Sequence, residues 1–181
     1  MNREEFWDMI ERTRHQNTEQ QYSNIGKILS SLPTEDVLRF WQYVSLYAEH
    51  SESPATYIAC KLLNHYASDD TELYFRCWLV AQGKETFFGT LKNIDYLADL
   101  DLTVGPPYEF EMLAYLPVMI LDERGEDIDS LMETNVISDA ERADIMAEIE
   151  TDGEWGDDEF YLWEQASVRA PRLWSKFHNV R

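Results

Sequence analysis

Residues 68–83 read SDDTELYFRCWLVAQG, and this stretch is the strongest indication of the fold class. Ser68, followed by two aspartates, places a capping oxygen and negative charge where the backbone N–H groups of a helix start are unpaired. From Leu73 to Val80 the sequence is apolar around most of a helix circumference, which is typical of a helix buried on several sides. Gly83 suits the position just after a helix end. The stretch predicts a central helix surrounded by other helices.

Helical spacing continues on both sides of this stretch. Apolar residues recur every three or four positions on most of the chain, as expected for amphipathic helices. Thr18 and Gln21 have the spacing of a capping box that opens a helix. Ser138 and Glu141 repeat this spacing later in the chain. Pro117 is expected to kink or end the helix in which it lies.

The pattern as a whole predicts an α-helical protein. It contains no β-hairpin signal, heptad array or internal repeat, and 181 residues are enough for one domain with a sizeable core. We predict an all-α, single-domain multi-helix bundle whose C-terminal half is acidic and rich in loops. Because Gly105-Pro106-Pro107 is the clearest break, residues 1–104 are predicted as the helical core. Residues 105–181 are predicted as an acidic helical extension packed on the same domain.

Negative charge is concentrated in one part of the chain. The sequence has 15 basic and 35 acidic residues, which gives a net charge of -20. Residues 93–164, called the acidic segment below, contain 22 acidic residues and two basic ones, Arg124 and Arg142, so the rest of the chain is charge-balanced. Repulsion within the acidic segment must be offset by packing or by a partner. We expect no direct binding to nucleic acid or anionic lipid, because both are negatively charged.

Targeting signals and cysteine usage favour a cytoplasmic protein. The longest apolar run, residues 112–121, is much shorter than the roughly 20 residues that cross a bilayer, so no membrane association is expected. The N-terminal residues include acids where a signal peptide requires a basic region. Cys60 and Cys77 lie in apolar helical stretches without the density of a disulfide scaffold, and we expect reduced core thiols.

No catalytic signature is visible in the sequence. The four histidines form no HExxH or closely paired arrangement, and the two cysteines lack CxxC spacing. A nucleophile-elbow motif and a phosphate-binding loop are both absent from the sequence. We expect no cofactor and no metal site. Arg76, among apolar residues, requires a carboxylate partner if it is buried, and Asp69, Asp70 and Glu72 are near in sequence.

The candidate binding residues lie in an acidic loop, residues 152–159. Its single tryptophan is flanked by glycines and carboxylates without apolar periodicity, so an exposed or interface role is favoured as much as burial. Complementary charge speeds association and a few aromatic side chains supply affinity, so such a loop suits a basic protein partner. The predicted partner-binding residues are Asp152, Glu154, Trp155, Asp157, Asp158 and Glu159.

Residues 68–83 resemble the most recognisable stretch of the bacterial family called domain of unknown function 4240. Other pieces of the chain are similar to the same family: Glu5-Phe6-Trp7, Asp95 with Leu97-Ala98, and Pro171-Arg172-Leu173-Trp174. Residues 105–166 match it poorly. The resemblance implies a soluble α-helical protein and assigns neither an activity nor catalytic residues.

Three functional hypotheses follow, and the first is preferred. The protein is a non-enzymatic interaction module, of the inhibitor or immunity type, that presents its acidic segment to a basic partner. Alternatively, it is an enzyme whose carboxylate and histidine site assembles from distant positions, which a concave pocket with convergent polar groups and perturbed pKa values would indicate. In the third hypothesis the acidity serves only solubility.

Overall fold

Helices make up the whole regular structure of the described chain. The computed structural model describes residues 1–103, 107–149, 155 and 159–178, without the side chains of residues 159–162, and this part contains no β-strand. The helices in chain order are α1 (Arg3–Thr13), α2 (Thr18–Leu29), α3 (Thr34–His50), α4 (Pro54–Asn64), α5 (Asp69–Ala81), α6 (Lys84–Lys92), a 3-10 helix (Ile94–Asp99), α7 (Glu111–Glu123), α8 (Ile128–Met132), α9 (Asp139–Glu148), α10 (Glu159–Arg169) and α11 (Pro171–Phe177). The prediction of an all-α, single-domain bundle is confirmed.

Two helices, α3 and α5, share the centre of the bundle. They pack against each other, and both contact α1 and α7. Phe40, Tyr43 and Tyr47 of α3 are fully buried. Their rings contact Phe6 and Trp7 of α1, with ring centroids 4.7 to 5.8 Å apart. The indole N–H of Trp7 donates to the Tyr47 hydroxyl at 3.2 Å, so this donor is paired although the ring is buried.

The start of α2 differs from the predicted capping box. Asn17 is the N-cap, and its side-chain oxygen accepts the backbone N–H of Gln20 at 3.0 Å. The capping box of Thr18 and Gln21 is therefore wrong, because asparagine is the stronger N-cap residue and the helix begins one position earlier. Gln21 is fully buried instead, and its amide donates to the Ala81 carbonyl at 2.8 Å, which fixes α2 to the end of α5.

Pro117 lies inside α7, which continues to Glu123, so of the two predicted outcomes, a kink or an end of the helix, the end is wrong. Proline has no backbone N–H, and the Leu113 carbonyl loses its usual partner four residues later. The loss is offset by packing, since Leu113, Leu116 and Ile120 are buried on a helix that contacts α2, α3 and α5. A helix inside the bundle thus persists where an isolated helix would break.

One buried amide fixes the chain between α8 and α9 to α3. Gln42 is 6% exposed, and its amide N–H donates to the Thr134 carbonyl at 2.7 Å. Its side-chain oxygen accepts the N–H groups of Val136 and Ile137, both at 3.1 Å. These backbone groups have no helical partners, so the Gln42 side chain takes the place of secondary structure there.

Glu141 provides a second link between α9 and α3. Ser138 caps α9 as predicted and accepts the N–H of Glu141 at 3.2 Å. The Glu141 side chain accepts a hydrogen bond from the Tyr43 hydroxyl and pairs with Arg39 at 3.6 Å. Burial, with a further contribution from Glu141, raises the pKa of Tyr43, so this phenol remains a donor at neutral pH.

Asp95 ties the last helix to the 3-10 helix. Its carboxylate accepts the backbone N–H of Leu173 at 2.8 Å and pairs with Arg172 at 3.0 Å. Arg172 also pairs with Asp99, and this hydrogen bond lowers the pKa of Asp99. The N-cap of α11, Ala170, has no capping oxygen, so Asp95 supplies one from a distant part of the chain.

Replacing Gln42 with alanine is expected to lower the free energy of unfolding by about 2 kcal/mol, because it leaves one carbonyl and two N–H groups unpaired. Urea-induced unfolding followed by circular dichroism measures the change. The control is Gln20→Ala, whose side chain is exposed and is expected to change stability by less than about 0.5 kcal/mol. Equal losses in the two variants would show that the Gln42 hydrogen bonds do not hold this part of the chain.

Candidate functional site

The structure describes part of the predicted partner-binding loop. Four of its residues lie outside the described part of the chain: Asp152, Glu154, Asp157 and Asp158. Glu159 begins α10, but its side chain is not described. Trp155 is 6% exposed, and the Arg169 guanidinium carbon lies 5.5 Å from its ring centroid. Trp155 is therefore packed against protein, and partner binding by these six residues stays a prediction.

Ion pairs neutralise only some of the carboxylates in the acidic segment. Within the described residues the paired carboxylates are Asp95, Asp99, Glu141 and Glu148. Their cations come from outside the segment: Arg3, Arg39, Lys84 and Arg172. The segment's other described carboxylates have no ion-pair partner in the described part of the chain, so the folded segment stays strongly negative.

An open groove of about 470 Å³ lies where the N-terminal ends of α2 and α7 meet. Its carboxylates are Glu19, Glu109 and Glu111. Its aromatic and apolar surface comes from Tyr22, Phe110 and Met112. Binding sites for small ligands usually enclose about 300 to 1,000 Å³, so the groove is large enough to admit a long side chain. It combines negative charge with aromatic surface, the two properties that the sequence predicts for the 152–159 loop.

The backbone of the chain leading into α7 is held against α4 and α5 by hydrogen bonds. Asn64 brackets Tyr108, because its side-chain oxygen accepts the Tyr108 N–H at 2.6 Å and its amide donates to the Tyr108 carbonyl at 3.5 Å. The N–H of Phe110 donates to the Tyr74 carbonyl at 2.9 Å. The Trp78 ring packs edge-on against Tyr108 with centroids 5.1 Å apart. The acidic wall of the groove is therefore held to α4 and α5.

Two tyrosines interact with the carboxylates of this wall. The Tyr66 hydroxyl donates to Glu109 at 2.8 Å, and this hydrogen bond raises the pKa of Tyr66. Interaction with Glu111 likewise raises the pKa of Tyr74. Phenols with a raised pKa stay protonated at neutral pH, whereas acid–base catalysis works best with a pKa near the working pH. These phenols therefore act as hydrogen-bond donors that position the two carboxylates.

Arg76 has the type of partner that the sequence predicts. Its side chain is buried, and its Nε donates to the Ala48 carbonyl at 2.8 Å. Glu72, one of the three predicted carboxylates, lies 3.8 Å away. Glu52 is closer, at 3.3 Å, and no sequence pattern indicated it because it lies between α3 and α4. The interaction is a structural ion pair between the end of α3 and the central helix α5.

The two cysteine thiols of the core are unreactive at neutral pH. Cys60 and Cys77 are buried and unbridged, and burial raises the pKa of each to about 12. A thiol with such a pKa is protonated and is a poor nucleophile or metal ligand. In the described ranges no three His, Cys, Asp or Glu side chains are placed together to hold a metal ion. Among the same residues no helix is both long and apolar enough to span a bilayer.

The fold and the groove define an all-α bundle with an acidic, aromatic-lined surface depression. The family model described as "Protein of unknown function (DUF4240)" matches residues 1–119. The chain belongs to the DUF4240 family, which confirms the resemblance seen in residues 68–83. The match includes both walls of the groove and extends through residues 105–119, so the poor match expected from residue 105 onwards is wrong for these residues. Residues 171–174 lie beyond the match. No curated protein and no solved structure matches the chain.

The variant Glu109→Gln is expected to lower the pKa of Tyr66 towards the ordinary tyrosine value. A phenol that donates to a carboxylate resists ionisation, and an uncharged amide removes the charge that opposes it. A pH titration by NMR of ¹³C-labelled tyrosine measures the pKa directly.

The matched control is Glu133→Gln, which removes one exposed charge of the acidic segment at the end of α8. We expect the Tyr66 titration to be unaffected by this control. An unchanged Tyr66 pKa in Glu109→Gln would mean that Tyr66 and Glu109 are not paired in solution.

Proposed function

We propose that this protein is a non-enzymatic interaction module that binds a basic protein partner through its acidic segment. The proposal is supported by one observation, the concentration of net charge in residues 93–164 with few ion pairs among the described carboxylates there. An inhibitor, or an immunity-type protein that neutralises a basic enzyme such as a nuclease, has these charge requirements. A protein partner is favoured over nucleic acid, because phosphate would be repelled.

The charge of the acidic segment acts mainly on association. Complementary fields raise association rates by about 10 to 1,000-fold, and the effect falls steeply as salt shortens the Debye length to about 8 Å at 0.15 M. The lifetime of the complex, in contrast to its association rate, depends on a few well-packed aromatic contacts. The groove at α2 and α7 has carboxylates beside aromatic side chains, and in the 152–159 loop Trp155 follows Glu154 in the sequence.

A cytoplasmic location is part of the proposal. It is supported by Cys60 and Cys77, which are buried and unbridged, since disulfides are rare in reducing compartments. A partner that meets this protein before export, as the target of an immunity-type inhibitor does, fits such a location.

Neutralising the predicted loop is expected to slow association with the cognate partner. In the fourfold variant Asp152→Asn, Asp157→Asn, Asp158→Asn and Glu159→Gln, we expect about a tenfold lower association rate at low salt. The partner is first isolated by affinity capture on the wild-type chain at about 0.05 M salt and is then purified. Surface plasmon resonance on the purified pair measures the rates.

The matched control neutralises four exposed acids outside the acidic segment: Asp8, Asp69, Asp70 and Glu85. We expect this control to associate at close to the wild-type rate, and wild-type association to slow between about 0.05 and 0.5 M salt. If the loop variant and the control lose rate equally, or if salt has no effect, the acidic segment does not guide binding.

A further inference from the structure

We propose that the groove between α2 and α7 binds the guanidinium group of an arginine carried by a basic segment of the protein partner. The inference rests on the proposed function and specifies where the partner is held and by which side chain. The groove joins the two predicted parts of the chain. Glu19 and Tyr22 belong to the predicted core, residues 1–104, and Glu109 and Glu111 to the predicted extension, residues 105–181.

The charge of the groove selects a cation. None of its three carboxylates has an ion-pair partner among the described residues: Glu19, Glu109 and Glu111. The N-terminal ends of α2 and α7 act in the opposite direction, since each helix start carries about half a positive charge. Three full negative charges against these two ends leave about two negative charges in the groove. An anion is therefore disfavoured there.

The carboxylates of the groove favour an organic cation over a metal ion. In the described chain no three His, Cys, Asp or Glu side chains are placed to hold a metal ion, and this includes the three of the groove. A guanidinium is planar, presents five donors and stacks on aromatic faces. Carboxylates from both walls and the Tyr22 ring line the groove, so it offers partners for both kinds of contact.

Part of the groove wall is held in place before anything binds. Tyr66 holds Glu109 by a hydrogen bond of 2.8 Å, and the backbone of Phe110 is bonded to Tyr74 of α5 at 2.9 Å. A carboxylate that is already oriented, as Glu109 is, loses less conformational entropy when a ligand arrives. An exposed pair of charges contributes little when both side chains are mobile, so this orientation favours binding at Glu109.

An apolar strip continues from the groove along α7. Met112, Tyr115 and Met119 are three and four positions apart and so share one helix face. Tyr115 is 49% exposed and Met119 is 42% exposed, although large apolar side chains are normally covered. The strip offers contact to apolar residues beside the arginine in the partner segment. Charge complementarity in the groove and apolar contact beside it together suit a basic, partly apolar peptide segment.

The test is a titration with the tripeptide Ac-Gly-Arg-Gly-NH₂, followed by amide chemical shifts of the ¹⁵N-labelled full chain. We expect saturable shifts confined to residues 18–22 and 109–112. The double variant Glu109→Gln and Glu111→Gln is expected to bind at least about tenfold more weakly, because two of the three charges are lost. Circular dichroism checks that this variant is folded.

The matched control is Asp122→Asn with Glu123→Gln, which removes two exposed charges at the other end of α7. It is expected to bind the tripeptide as the wild type does. Equal weakening in both variants, tighter binding of Ac-Gly-Lys-Gly-NH₂ than of the arginine peptide, or saturable binding of inorganic phosphate at these residues would overturn the assignment.

The same variants separate this inference from the proposed function. If the purified partner binds the Glu109 and Glu111 variant as tightly as the wild type, and binding stays salt-dependent, the groove assignment is wrong and the proposed function stands. If the wild-type chain takes up the arginine peptide in the groove but its association with the partner does not depend on salt, the proposed function fails.

Discussion

Repulsion among the carboxylates of residues 93–164 is the constraint under which this protein folds. Ion pairs attach the segment to the rest of the chain at only four of its described carboxylates: Asp95, Asp99, Glu141 and Glu148. Its other attachments are uncharged: the Gln42 amide on the chain after α8, the Asn64 amide on Tyr108, and the buried apolar face of α7. Uncharged attachments leave most of the described carboxylates facing solvent, where they are available to a cation.

The helix α5, which contains most of the family-like residues 68–83, also holds the start of the acidic segment's helix α7 in place. Its apolar circumference supports α3 on one side and α7 on another, and Arg76 fixes it to the end of α3. The carbonyl of Tyr74 and the ring of Trp78 hold the chain that enters α7. The residues that make the family recognisable thus also position the acidic wall of the groove, although none of them belongs to the groove itself.

Local features of the fold were predictable because they depend on residues close in sequence. The helices, the Ser138 cap and the Glu72 partner of Arg76 follow from spacing within a few positions. The errors at Pro117 and at Glu141 arose where a neighbour in space decides the outcome, whereas the one at Thr18 arose because the adjacent Asn17 is the stronger N-cap. Packing against α2, α3 and α5 lets α7 pass through Pro117, and Tyr43 takes the Glu141 side chain that would have completed the capping box.

The groove was beyond sequence reasoning for the same physical reason. Glu19 and Glu109 are 90 positions apart and meet only because the starts of α2 and α7 lie together. The same reason applies to the pairing of Asp95 with Arg172. Each residue lies in a stretch that is similar to the family, but no pattern indicated that the two are in contact. Acidity and aromatic content could be predicted from composition, whereas the place where both converge required the packing of the helices.

The salt dependence of folding stability tests most directly whether the folded chain retains uncompensated negative charge. If repulsion outweighs the ion pairs, the free energy of unfolding at neutral pH rises by about 1 kcal/mol or more as sodium chloride increases from about 0.01 to 0.2 M, since the Debye length falls from about 30 Å to below 10 Å. Urea unfolding at each salt concentration measures it. A free energy of unfolding that is constant or falls over this range would contradict the account, because the carboxylates would then be neutralised within the protein itself.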